Sequence, residues 1–226
     1  MELYVDTGDL NAIRDIAEFY PIDGFTTNPK LLAQAGSEGN HLMSEYRKFI
    51  GETGLDVFIQ VTEKSASGMY HQAQKLQEFF GPHLVVKIPA VRDGYKAVRL
   101  CCESGIRTCV TAVHSVMQAV IAAKAGAEYV APYISHIDNI GADSVQCVGD
   151  MLDIFSAGGY TCSILAASFK SVSTVKDLAV TGCQAITLKP ELFDDLIIHP
   201  STAESLIAFD EIWHCIYGDK HVDELL

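Results

Sequence analysis

Eight short apolar runs rich in β-forming residues recur along the chain, each followed by a longer segment with helical spacing. This alternation restricts the fold more than any other feature of the sequence. The runs are ELYVDT (2–7), GFTTN (24–28), DVFIQVT (56–62), LVVKIPA (84–90), RTCVTAV (107–113), EYVAPYI (128–134), CSILAAS (162–168) and QAITLK (184–189). Most are apolar at successive rather than alternate positions, as parallel strands covered on both faces must be. Asp9, Ser65 and Ser171 stand where N-caps open the following helices, and Gly81, Gly105, Gly126 and Gly182 stand where units close. Eight β-α units in 226 residues predict one α/β domain over 1–226, a (β/α)8 TIM barrel, slightly short of the ~250 residues usual for that fold. An open doubly wound sheet would alternate too, but no G-x-G-x-x-G follows the first strand. Beyond the eighth unit a further helix is expected over 200–217, with apolar Leu206, Ile207, Phe209, Ile212, Trp213, Ile216 and Tyr217. That stripe reads equally as a cap on the barrel rim or as an arm packed on a neighbouring subunit.

Charge and composition exclude several classes of function. A formal net charge of −13 without clustered Lys and Arg argues against nucleic acid as a partner. It leaves room for an anionic substrate, which needs only a local positive site. Seven cysteines with no C-x-x-C pair point to reduced thiols in the cytoplasm. Eight histidines without H-x-x-x-H or H-x-x-E-H spacing give no protein-built metal site. The opening MELYVDTGDL lacks the basic and apolar regions of a signal peptide, and no apolar run reaches the roughly 18 residues of a membrane span.

In a (β/α)8 barrel the chemistry sits at the C-terminal ends of the strands. Here those ends are polar: Asp6 and Thr7, Thr26, Thr27 and Asn28, Gln60 and Thr62, Lys87, Thr111, Tyr133 and Ser135, Ser168 and Lys170, Thr187 and Lys189. Singly, each is open to a blander reading, because Asp, Thr, Ser and Asn also cap helices directly after strands. Lys87 differs from the rest. Val85, Val86, Ile88 and Pro89 surround it, and a buried lysine must be paired, neutral or reactive. Desolvation favours the neutral amine, the nucleophile that condenses with a carbonyl to a Schiff base. The competing readings are a lysine that snorkels out of its strand or an ion pair with Asp6. Tyr133, Gln60 and Thr111 could hold the water that shuttles protons, Asp6 and Asn28 could bind hydroxyls of a polyol with Asp6 also a base, and Ser168 with Lys170 stands where barrels often bind phosphate. Lys170 is the second Schiff-base candidate.

Taken together, "MELYVDT", "GFTTNP", "FIQVT", "VVKIP", "TAV", "GAEYVAPYI" with "HID", "ILAASFK" and "GCQAITL" resemble the fructose-6-phosphate aldolases, a subfamily of the transaldolases, nearly end to end. The resemblance implies a class I aldolase without metal or organic cofactor, in which Lys87 forms the Schiff base. Gln60, Thr111 and Tyr133 would place the catalytic water, and Asp6, Asn28 and Thr26 would line the substrate. It implies cleavage of fructose 6-phosphate or a similar ketose to dihydroxyacetone and an aldehyde such as glyceraldehyde 3-phosphate. It also implies a homo-oligomer, a decamer of two pentamers, with the C-terminal helix on a neighbour. Transaldolases proper have glutamate where Gln60 stands and phenylalanine where Tyr133 stands, so both positions resemble the aldolase branch. A transaldolase that transfers the three-carbon unit, or a sugar-phosphate-binding protein on an aldolase scaffold, are the alternatives. Two positions depart from the family pattern. His136 stands where an arginine would grip phosphate with Ser168 and Lys170, and Lys30 stands where a small hydroxyl residue is common.

Overall fold

The computed structural model of the protein describes residues 1–36 and 39–226. Its elements follow the order β1 (Glu2–Asp6), α1 (Leu10–Phe19), β2 (Gly24–Thr26), α2 (Pro29–Gln34), α3 (Gly39–Thr53), β3 (Asp56–Gln60), α4 (Ala66–Phe80), β4 (Leu84–Pro89), α5 (Arg92–Glu103), β5 (Thr108–Val113) and α6 (Val116–Lys124). They continue with β6 (Tyr129–Pro132), α7 (Ile134–Asn139), α8 (Ser144–Gly158), β7 (Ser163–Ala166), α9 (Val172–Thr181), β8 (Ala185–Leu188), α10 (Glu191–Ile197) and α11 (Pro200–Tyr217). The eight strands pair in parallel in chain order, and β8 closes on β1, so the sheet is a TIM barrel. All eight expected strands are present, each at one or both ends shorter than its apolar run. The trimmed residues keep part of the ladder: the Thr27 and Val61 amides still donate to the Phe58 and Lys87 carbonyls at 3.0 and 3.1 Å.

The chain divides into two compact units, Met1–Phe193 and Asp194–Leu226. The first holds the barrel. Val5, Phe25, Val57, Ile59, Leu84, Val86, Ile88, Val130 and Ile186 are buried on strand faces turned toward the helices. Inside the barrel, Tyr4, Phe58, Val85, Cys109, Tyr129, Ala131, Leu165 and Ala185 form one apolar cluster. Phe58 meets Tyr4 and Tyr129 edge-on at centroid distances of 5.0 and 5.4 Å, geometry that the ring quadrupoles favour. The corresponding inward position on β2 is Gly24, where an added Cβ would lie 2.1 Å from the Asp56 carbonyl oxygen. Below the cluster, the Tyr4 and Tyr129 hydroxyls donate to Glu2 Oε2 at 3.2 and 3.0 Å, and Arg107 bridges Asp56 and Glu128 at 2.8 Å each. Burial pushes the Tyr129 phenol up to about 12, which keeps it a donor across the neutral range.

The expected helix starts occur where predicted. Asp9, Ser65 and Ser171 each accept a hydrogen bond from a first-turn amide. Gly81, Gly105, Gly126 and Gly182 all carry positive φ. Between β2 and β3, and again between β6 and β7, the chain forms two helices rather than one.

In the second unit, α11 spans the predicted residues, and Leu206, Ile207, Phe209, Ile212 and Ile216 are each more than half exposed. Its Trp213 Nε1 donates to the Lys220 carbonyl at 2.7 Å, which folds the end of the chain back along the helix. Among the described residues no helix is long and apolar enough to cross a membrane.

Candidate active site

Side chains on a strand alternate between faces, so the residue two positions beyond an inward core residue also points inward. Tyr4 is followed by Asp6, Phe58 by Gln60, Val85 by Lys87, Cys109 by Thr111, Ala131 by Tyr133 and Ala185 by Thr187. A polar ring therefore lies directly above the apolar one, at the C-terminal ends of the strands. It opens into a cavity of about 670 Å³ whose lining includes Asp6, Asn28, Gln60, Lys87, Tyr133, His136, Ser168 and Lys170. Thr26 and Thr111 join it through hydrogen bonds to Asp6 and Tyr133. The structure thus brings Asp6, Thr26, Asn28, Gln60, Lys87, Thr111, Tyr133, His136, Ser168 and Lys170 to one mouth, whereas the hydroxyls of Thr7, Thr27 and Thr62 turn to the Asp9 amide, the Phe58 carbonyl and Gln72.

Lys87 sits at the floor, 4% exposed. Its Nζ donates to the Thr27 carbonyl at 2.8 Å. The ion pair with Asp6 considered above is absent, and among the described residues no carboxylate oxygen lies within 4.0 Å of this amine. Asp6 turns elsewhere because its Oδ1 accepts the Thr26 hydroxyl at 2.7 Å, and Thr26 in turn meets Thr187 Oγ1 at 2.7 Å. Nor does Asp6 cap a helix, since Asp9 does that for α1. Opposite Lys87 on β5, the Cys109 thiol is pushed up to about 12 by burial, against the opposing pull of the Lys87 charge. A protonated thiol is a poor nucleophile, so Cys109 does not compete with the amine beside it on the barrel floor.

β5 shows an irregularity beside the site. Its register to β6 shifts between Val110 and Val113, and Ala112 adopts a left-handed φ of 57°. Thr111 stays inward ahead of the bulge, with its hydroxyl 3.2 Å from the Tyr133 hydroxyl, and the bulge turns the Ala112 carbonyl to His114 Nδ1 at 2.9 Å. The His114 and His136 rings flank the Tyr133 ring edge-on at 5.5 and 5.3 Å, and they stack on each other at 5.6 Å. Tyr133 is thereby held at its hydroxyl and along its ring. On β7's exit, Ser168 has φ 65°, its carbonyl accepts the Ser135 amide at 3.0 Å, and its hydroxyl meets that of Ser135 at 2.8 Å. Two non-glycine residues in the left-handed region at one mouth are the kind of local strain that persists where surrounding structure enforces it.

Other candidates carry double duty. Asn28 Oδ1 accepts the Leu31 amide at 3.0 Å as the N-cap of α2, so its amide nitrogen is the group left for the cavity. That corner is crowded, because a Cβ on Gly8 would lie 2.5 Å from the Leu31 carbonyl oxygen. Lys170 is exposed at the rim and donates to Asn139 Oδ1 at 3.1 Å, in contrast to the enclosed Lys87. Lys30 and Lys189 are exposed and line the same cavity, as does His136. The mouth is thus cationic on a strongly acidic chain. Thr187, Lys189 and Ser135 stood among the polar strand ends without a role, and alternation after Ala185 could have singled out Thr187. His114 carries no sequence signal, because only the bulge on β5 brings it to Tyr133.

A family model described as transaldolase/fructose-6-phosphate aldolase matches residues 3–224 of the chain. The protein belongs to this transaldolase and aldolase family. A solved structure described as "Native KDPGal structure" is similar with a TM-score of 0.59 at 12% sequence identity, covering 85% of this chain and 84% of that one. At that identity the likeness is one of fold. Family membership makes the protein an aldolase-type enzyme, one that makes and breaks carbon–carbon bonds beside a carbonyl.

A family member that buries an amine for reactivity should be more stable without it. Lys87→Met removes one hydrogen bond but also removes a desolvated, unpaired amine, and is expected to raise the unfolding free energy by about 1–3 kcal/mol. Urea unfolding of the two proteins checks this. A clear loss of stability would mean that Lys87 is kept for packing.

Proposed function

We propose that the protein is a class I aldolase that reversibly cleaves fructose 6-phosphate, or a similar ketose, to dihydroxyacetone and glyceraldehyde 3-phosphate or a similar aldehyde. The observation that carries this reading is Lys87, enclosed with the Thr27 carbonyl as its partner, in one cavity with the Tyr133 phenol that Thr111 holds at 3.2 Å.

Lys87 Nζ, as the free amine, adds to the C2 ketone of the open-chain sugar. The carbinolamine loses its oxygen as water and becomes an iminium, with protons relayed through a water held by Gln60, Thr111 and Tyr133. Asp6 takes the proton of the C4 hydroxyl. The C3–C4 bond then breaks, its electron pair passes into the iminium to form an enamine, and the aldehyde leaves. The Tyr133 phenol gives its proton to C3 of the enamine and recovers one through the held water. Hydrolysis of the resulting iminium releases dihydroxyacetone, frees Lys87, and the proton on Asp6 returns to solvent. A phenol at position 133 supports release over transfer, because it can protonate the enamine before a second aldose arrives.

Asn28 contacts sugar hydroxyls. Ser168 and Lys170 receive the phosphate, Lys30 and Lys189 supply charge, and His136 offers a ring nitrogen where the family pattern has an arginine. Imidazole and ammonium groups do not form the planar bidentate fork of a guanidinium, so phosphate is held here mainly by field and single hydrogen bonds.

Incubation with fructose 6-phosphate is expected to yield free dihydroxyacetone and glyceraldehyde 3-phosphate in equal amounts, without an added acceptor. Lys87→Met should abolish turnover, while Lys170→Met should chiefly raise KM. Turnover that depends on erythrose 4-phosphate would instead identify a transaldolase, and sugar-phosphate binding without turnover would identify a retired scaffold.

The exposed apolar residues of α11 support a second part of the reading, that this helix is an arm on a neighbouring copy in a decamer of two pentamers. Sedimentation should show a large homo-oligomer that Phe209→Asp with Ile212→Asp dissociates. A monomeric wild type would contradict it.

A further inference from the structure

Thr187 is 2% exposed, lines the cavity, and has no part in the chemistry above. On the sheet it stands on β8 in register with Tyr4, while Thr26 stands on β2 in register with Asp6. The two threonines therefore flank β1 from opposite sides. Their hydroxyl oxygens meet at 2.7 Å inside the barrel, and Thr26 then donates to Asp6 Oδ1 at 2.7 Å.

The direction of this chain follows from proton counting. An ionised carboxylate only accepts, so the single Thr26 proton goes to Asp6. Thr26 has no second proton, so Thr187 must donate to Thr26. Both hydroxyls are buried, which removes water as a competing partner and fixes both rotors. Among the described residues no other hydrogen bond reaches the Asp6 carboxylate, so Oδ1 is occupied and Oδ2 is left for the substrate.

We propose that Thr187 is a positioning residue that, through Thr26, holds Asp6 with Oδ1 engaged and Oδ2 presented to the hydroxyl whose proton leaves during carbon–carbon cleavage. This rests on the reading of Asp6 as the base and Lys87 as the Schiff-base amine. Thr187 never touches the reacting atoms. Its loss leaves the Thr26 hydroxyl free to rotate and the Asp6 carboxylate free to turn, which misplaces the base without altering the amine.

Thr187→Val keeps the shape and removes the donor. Cleavage of fructose 6-phosphate is expected to lose about tenfold or more in kcat with KM changed by less than about twofold, the pattern of a group needed only in the transition state. Thr187→Ser, which keeps the hydroxyl, should restore most of the rate. In an Asp6→Asn background the valine substitution should cost less than about twofold, because the two act as one unit. Borohydride trapping of dihydroxyacetone on Lys87 should persist in all variants. If the valine variant does not fold, Thr187→Ala against Thr187→Ser makes the same comparison. A valine variant that cleaves at the wild-type rate, or that loses as much again without Asp6, overturns the proposal while the trapped adduct leaves the Schiff-base reading intact. Absence of the adduct in the wild type overturns both.

Discussion

Closure of eight parallel strands imposes a two-residue alternation on every strand at once, and the rest of the molecule depends on it. Tyr4, Phe58, Val85, Cys109, Tyr129, Leu165 and Ala185 fill the interior, and the inward positions above them carry Asp6, Gln60, Lys87, Thr111 and Thr187, with Tyr133 above Ala131 on β6. A shift of one residue in any strand would send its polar group into the helix layer and an aliphatic residue into the cavity. The apolar ring thus sets the height and direction of the polar ring. It also seals the floor, so the Lys87 amine meets water and substrate only through the mouth.

The same closure explains why an unpaired amine is tolerated. Lys87 reaches across β3 to the Thr27 carbonyl on the far side, a neutral acceptor that orients the amine without neutralising it. Asp6, the nearest plausible counter-ion on the sheet, is engaged by Thr26 instead. The cations that could attract a phosphate stand at the rim, where they remain solvated and cost little. Charge is therefore sorted by depth: enclosed amine at the floor, fixed carboxylate at the wall, solvated lysines at the lip.

Most of the fold was legible because parallel strands buried on both faces leave continuous apolar runs, and each run from ELYVDT to QAITLK corresponds to a strand. Their ends were less legible, since Thr27, Asn28 and Val61 continue the extended pattern and even the ladder after the strand has ended. The additional helices α2 and α7 were not legible. Each has only six residues, too few for a helical period to emerge, and α2 opens on a side chain already counted as part of the site. The site was legible from strand ends and family pattern, but its internal wiring was not. Whether Asp6 would pair with Lys87 or with Thr26, and that His114 would stand against Tyr133, depend on rotamers and on a bulge that leaves no mark in composition.

The central claim is that Lys87 forms a covalent iminium with a ketose or with dihydroxyacetone. Reducing the protein with borohydride in the presence of dihydroxyacetone, digesting it and mapping the modified peptide by mass spectrometry tests this most directly. The account predicts a reduced three-carbon adduct on the lysine of LVVKIPA, absent from Lys87→Met. An unmodified Lys87, or an adduct confined to Lys170, would contradict it.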